Sequence, residues 1–345
     1  MTQSEDGVLY KQNGRRASFA SDSRTVPELP VYDINDTGMP LHSLYRHLVD
    51  VFFKHLGCNF PFLARDKVMR MVEDRMLAPI LVNVICALAA RFSRHTLLVS
   101  NRNSRSGPAF FGEVFAHRAK QLVTQEFVRP TPEGSQAMLL LAYEAFGADQ
   151  DSALWHFEGL AIRMVIDVGL QRVEGLRLQR PSYMDPENDP QDESPGCKSE
   201  STQPSVTPLE KRDPEEVEKE HVDTVWAIFA LDRYISSGLG RRVTMQIHEF
   251  ELDLPDIARK TTEGLASPFP ALIHIMHMYG RVSDILNSIN NVEEITSHTR
   301  GMISDIEEEM YLFFRSLDAR LQFSIEHFLL YLKHGEGTNL IMLHL

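Results

Sequence analysis

Fourteen histidines give this 345-residue chain its most plausible source of chemistry, because imidazole serves both as a metal ligand and as an acid-base group near neutral pH. His42, His47 and His55 fall within one helical stretch, and His274 and His277 stand three apart on another. The spacing of these histidines does not make a zinc cage: His274 and His277 could share a face, yet no acidic or cysteine ligand sits at a matching offset to them. HExxH is absent, and His248-Glu249 lacks the second histidine that would complete it. Cys58, Cys86 and Cys197 are too few and too scattered for a disulfide framework, and no CxxC pair exists. That usage fits a reducing, intracellular setting. The carboxylate run Glu307 to Glu309 reads as the solvated face of a helix, since carboxylates become catalytic when buried neighbours shift their affinity for protons.

Nucleophile and nucleotide signatures are missing too. The chain has no GxSxG turn, no GxxxxGK[ST] loop and no GxGxxG after a strand, so the reading is of a protein that is not an enzyme. Arg15 to Ser18 (RRAS) has the form of a basophilic kinase site in an otherwise polar leader. A balance of 35 basic against 48 acidic residues gives a net charge of −13, which disfavours a surface that neutralises phosphates, so the chain is a poor nucleic-acid binder as it stands. MTQSEDG lacks the basic start and apolar core of a secretory signal. The longest apolar run, 76–92, is broken by Pro79, Asn83 and Arg91 and falls short of the roughly 20 residues a membrane helix needs.

The elements that must position any site are helical. Leu41, Leu44, Tyr45, Leu48 and Phe52 form one apolar face that ends at Gly57. Leu81, Val84, Ile85, Leu88 and Ala89 follow Pro79 at the same period, and 111–127 repeats it. Thr131-Pro132-Glu133 combines a capping hydroxyl, a first-turn proline and a carboxylate at the positive dipole end, with Gly147 as the stop. Asp151 is expected to cap a helix ending at Gly169. Pro214 opens another that carries Trp226 and breaks near Gly238 and Gly240. After an extended stretch over 243–254 come helical patterns over 272–289, 295–317 and 324–333, and the stripe Met276, Tyr279, Val282, Leu286 reads as core.

Residues 181–220 hold 7 of the 18 prolines and 12 acidic against 4 basic residues, a net charge of −8. This composition predicts a disordered acidic insertion, bounded at about 176–213. The fold class is therefore all-α: an irregular multi-helix domain over 40–345, with that insertion and a disordered leader over 1–39.

Four segments, taken in order, resemble the regulatory "middle homology" domain of fungal binuclear zinc-cluster transcription factors. They are LYRHLVDVFFKHLGCNFPFL (44–63), ICALAARFS (85–93), LLLAYEAFGADQDSALWHFEGLAIRMVIDVGLQR (139–172) and WAIFALDRYISSGLGRRVTMQIHEFELDLP (226–255). The third matches the family pattern at Trp155, Gly159, Arg163 and Gly169-Leu170, and the fourth at Asp232, Arg233, Gly240 and Arg241. EVEKEHVDTVW (216–226) departs from the arginine-rich approach usual in the family, and Arg242 replaces a proline. The closing residues resemble sequence that normally continues, so a truncated C-terminus is expected.

This resemblance implies a nuclear transcription regulator that responds to transcriptional coregulators or to a small-molecule effector. DNA contact and zinc would belong to a six-cysteine N-terminal module absent from this sequence. No cofactor is expected within the chain, no membrane association is implied, and a homodimer is left open. An alternative reading is a helical ligand-binding or protein-interaction scaffold that does not touch DNA. The motif residues read as structural: Gly159 costs about 1 kcal/mol mid-helix relative to alanine, which close approach of a neighbouring helix would explain. Asp232 and Arg233 suit a pairing with a loop, Gly240 a positive φ, and Arg241 a tie between the extended segment and the helices.

Overall fold

A computed structural model describes residues 31–33, 38–99, 110–178, 214–238, 241–289, 291 and 294–345. Most of the leader, the RRAS sequence, Cys197, the acidic insertion beyond residue 178 and Gly240 lie outside the described residues.

Thirteen α-helices account for the described architecture, and its only β-pairing is two isolated bridges, Tyr32 with Pro40 and Lys260 with Ala266. At the centre is α3 (Pro79–Ala90), which buries every residue from Ile80 to Ala90. A helix that is apolar all round has no solvent face to offer, so it must be surrounded. α1 (His42–His55), α5 (Phe110–Glu126) and α6 (Pro132–Gly147) pack against it, with α2 (Arg65–Glu73) and the four-residue α4 (Thr96–Val99) at the margins. The approach of α5 depends on Gly112, where a Cβ would stand 2.5 Å from the Ala87 carbonyl oxygen. Thr131 caps α6 as its sequence demands, its hydroxyl accepting from the Gly134 amide at 2.9 Å.

Inside α3, Asn83 is wholly buried and satisfied on both sides, donating to the Gly38 and Pro79 carbonyls and accepting from the Tyr32 hydroxyl. Within the stretch expected as leader, Val31 is fully buried and Tyr32 pairs with Pro40, so residues 31–33 and 38–39 pack on the helical core, held because a buried amide needs those partners.

α7 (Asp151–Val168) packs along α6 and ends at Gly169, whose φ of 79° closes the helix in the left-handed conformation. Asp151 is the first helical residue rather than the cap, which falls on Gln150 without a side-chain bond. The short α8 (Val173–Leu178) follows. α9 (Pro214–Gly238) crosses α6 and α7 and carries Trp226, fully buried against Phe229 and Phe250.

Residues 241–254 run as an extended strap with one 3-10 turn and lead to α10 (Pro268–Ser288), which packs on α9. α11 (Ser297–Ser316), α12 (Ile325–Lys333) and α13 (Gly337–Met342) complete the chain around a second, smaller core of Leu265, Leu317, Leu321, Tyr331, Leu340 and Leu343. The Met276 to Leu286 stripe is not core: Tyr279 is 39% exposed and Leu286 52%. The buried side of α10 is built instead from residues that include Phe269, Ile273, Gly280 and Ser283, and at Gly280 the missing side chain makes room for Arg233 of α9.

Candidate functional site

The motif residues converge where α7, α9 and the strap meet. α9 turns Asp232 and Arg233 inward together, Asp232 wholly buried and Arg233 nearly so. One Asp232 oxygen accepts from the Thr244 amide at 3.0 Å, and the other from Thr244 at 3.0 Å and Met245 at 2.9 Å. Ser236, one turn on, donates its hydroxyl to the same carboxylate at 3.4 Å. Arg233 supplies the complementary half of this clamp, donating to the Met245 carbonyl at 2.7 Å, lying over the Phe229 ring at 4.7 Å and facing Asp284 of α10 at 3.7 Å. Burial lowers the Arg233 proton affinity, opposed by the two carboxylates beside it. Extended backbone without a sheet partner needs acceptors and donors for its amides and carbonyls, and this acidic-basic pair provides them.

The strap is tied at its start as well. Arg241 stacks on the face of Trp155 at 4.4 Å, a cation–π contact from strap to α7. Arg163 turns back along its own helix to the Gly159 carbonyl at 2.9 Å. Gly159 itself departs from expectation: a Cβ there would meet only the Arg163 guanidinium, at 3.0 Å, and no neighbouring helix. The close approach predicted for it occurs at Gly280, where a Cβ would stand 2.6 Å from Arg233 Cδ.

Further up α9, the run that departs from an arginine-rich approach is itself a polar hub. Glu220 binds Lys67 of α2 and accepts from Gln136 of α6 at 3.2 Å, while Thr224 accepts from the same Gln136 amide at 3.1 Å. Asp223 takes Arg259 at 2.6 Å; burial raises its proton affinity and the guanidinium opposes the rise.

The histidines are dispersed over structural contacts. His42 reaches the Val72 carbonyl, His47 the Ser93 hydroxyl, and His274 the Pro255 carbonyl, while His55 stacks on Phe92 and His277 lies beside Phe229. Among the described residues no group of three or more His, Cys, Asp or Glu side chains is placed to hold a metal. No described helix is long and apolar enough to cross a membrane. Glu307 to Glu309 are exposed, with Glu309 paired to Arg281. Burial pushes the Cys58 thiol up to about 11 and the Cys86 thiol higher still, which leaves both as thiols rather than nucleophilic thiolates.

Sequence reasoning overlooked Glu158, Gly280, Asp284 and the Lys67–Glu220–Gln136 chain. Glu158 was within reach: it shares the face of Leu154, Ala161, Ile162 and Val165, a carboxylate at an apolar position. Asp284 and Lys67 had no such signal, since their partners are distant in sequence.

The profile of the fungal specific transcription factor domain matches residues 49–328, most of the chain and all the elements just described from α2 to the start of α12. The chain belongs to that family. Among its relatives is the Zn(2)-C6 fungal-type transcription factor FTF1c of Fusarium oxysporum f. sp. lycopersici, 29% identical over 79% of this chain and 24% of the relative. An uncharacterized transcriptional regulatory protein of Schizosaccharomyces pombe is 22% identical over 97% of this chain and 35% of the relative. A positive regulator of purine utilization from Emericella nidulans is 20% identical over 76% of this chain and 28% of the relative. The chain spans about a quarter of the length of the first of these. No solved structure matches. Transcription factors of this kind are not enzymes.

Proposed function

We propose that this chain is the helical regulatory domain of a zinc-cluster-type fungal transcription regulator, working in the nucleus by contact with transcriptional coregulators. The observation that carries the reading is the family match over 49–328, which coincides with the helical framework clamped around Asp232 and Arg233. Zinc and direct DNA contact are assigned to a six-cysteine module outside this sequence, in keeping with the net charge of −13. The domain needs no cofactor and performs no catalysis in this reading.

The experiment is to fuse residues 1–345 to a heterologous DNA-binding module and read a reporter bearing that module's site in a fungal host. A several-fold change in output, up or down, relative to the DNA-binding module alone is expected. A fusion that occupies the site at normal abundance and leaves output unchanged would contradict the proposal and support the helical scaffold reading instead.

A further inference from the structure

Two carboxyl groups meet at the α7–α9 contact, and among the described residues no ion pair is formed by Glu158. Glu158 is wholly buried, and neither of its oxygens has a hydrogen-bond donor from nitrogen or hydroxyl among the described residues. The group it faces is Asp232, also wholly buried, whose own oxygens are committed to the Thr244 and Met245 amides and the Ser236 hydroxyl. The charged groups of the elements packed around α7 are engaged elsewhere. Glu144 of α6 pairs with Lys120, Arg163 of α7 turns to the Gly159 carbonyl, Arg233 of α9 turns to Met245 and Asp284, and Arg241 of the strap stacks on Trp155.

Two adjacent carboxylates removed from water cannot both hold a negative charge without a large electrostatic cost, and the ordinary solution is for one to keep its proton. Asp232 spends its acceptor sites on two backbone amides, whereas Glu158 receives no such donor among the described residues, so Glu158 is the member of the pair with oxygens free to carry the proton.

We propose that Glu158 and Asp232 share a single proton, Glu158 as the neutral acid donating its O–H to the Asp232 carboxylate, and that this proton latches α7 to α9 and thereby to the 243–245 strap. The latch couples the one buried carboxylate that holds the strap to the state of a second group on another helix. Burial, followed by the charge of Asp232, raises the Glu158 carboxyl from its ordinary 4.5 to about 8, against a smaller opposing pull from Arg163. A folded-state value above the unfolded one means that the unfolded chain releases a proton the folded chain retains. The contribution to stability is then full below about 4.5, declines as pH rises, and is exhausted once pH has passed about 8. A rise in pH through neutrality loosens the join between α7 and the strap. The inference stands on the fold and is independent of the transcriptional reading.

The test is the pH dependence of urea unfolding for the 1–345 chain and for Glu158→Gln, whose amide donates to Asp232 without titrating. The folding equilibrium constant of the wild type, relative to the variant, is expected to fall about tenfold per pH unit between about pH 6 and 7.5, the signature of one proton. The two proteins converge toward acid pH, and the variant is the more stable above pH 8. Parallel pH profiles would overturn the proposal. Should the variant fail to fold, carbon NMR of the wild type with carboxyl-labelled glutamate keeps it falsifiable. One glutamate carboxyl titrating near pH 8 supports it, and the absence of any titrating above about pH 6 overturns it.

Discussion

α3 and α11 both carry apolar residues at a helical period, yet one is interior on every side and the other barely touches a core. α3 buries eleven of its twelve residues, whereas α11, with twenty, buries Ile306 alone. The contrast extends to the regions they belong to. Around α3, apolar contact is interlocked with buried polar bridges that reach across the chain: Asn83 to Tyr32 and Gly38, Lys67 to Glu220, Asp223 to Arg259. Around α11 and α12 the core is small, Tyr311, Leu312, Ile325 and Leu329 are exposed, and the principal long-range polar anchors are the Tyr331 hydroxyl on the Ala266 carbonyl and the Asn339 amide on the Cys58 carbonyl. Stability within a fold follows such differences in burial, with sparsely packed elements opening first. The first region is therefore a rigid frame and the second a more loosely held attachment, joined through α9, α10 and the strap.

The comparison breaks most visibly by deleting a ring from the frame. Trp226→Ala removes a fully buried indole and is expected to cost about 3–5 kcal/mol in urea unfolding, while Leu329→Ser on α12 stays within about 0.5 kcal/mol of wild type. An equal effect at the two positions would erase the distinction. Next comes the joint: Asp232→Ala leaves the Thr244 and Met245 amides without an acceptor, at a cost of about 2–3 kcal/mol, and hydrogen exchange should show those two amides losing protection. Tyr331→Phe is expected to cost about 1 kcal/mol, seen as faster exchange in α12 and α13 with the protection of α3 unchanged. Smallest and opposite in sign, Gly159→Ala should raise the thermal midpoint by the equivalent of up to about 1 kcal/mol, since only the movable Arg163 guanidinium lies near the added methyl.

Much of the frame was legible in the sequence because local rules sufficed. The Thr131 cap, the Gly169 stop, the start at Pro214 and the all-α class rest on residues a few positions apart, and the structure places them so. The site was half legible. The family resemblance singled out Asp232, Arg233, Trp155 and Arg241, and the structure brings all four to the strap. What the motifs could not supply was the partner: Asp284, Gly280 and Lys67 reach their contacts across 47 to 153 positions of sequence. The apolar stripe of α10 misled for a related reason. Its period is helical whichever side is buried, and the side turned to α9 is the one on which Gly280 leaves room for Arg233, a residue distant in sequence. Gly159 misled because its neighbour is its own helix's Arg163, a contact that calls for no missing side chain.

Native-state hydrogen exchange of the intact chain, resolved to individual helices, tests the central claim most directly. The account predicts that α3, α6 and α9 exchange only through global unfolding, while α11 and α12 open earlier in a separate step of lower free energy. Equal protection across all five helices, lost in one transition, would contradict it.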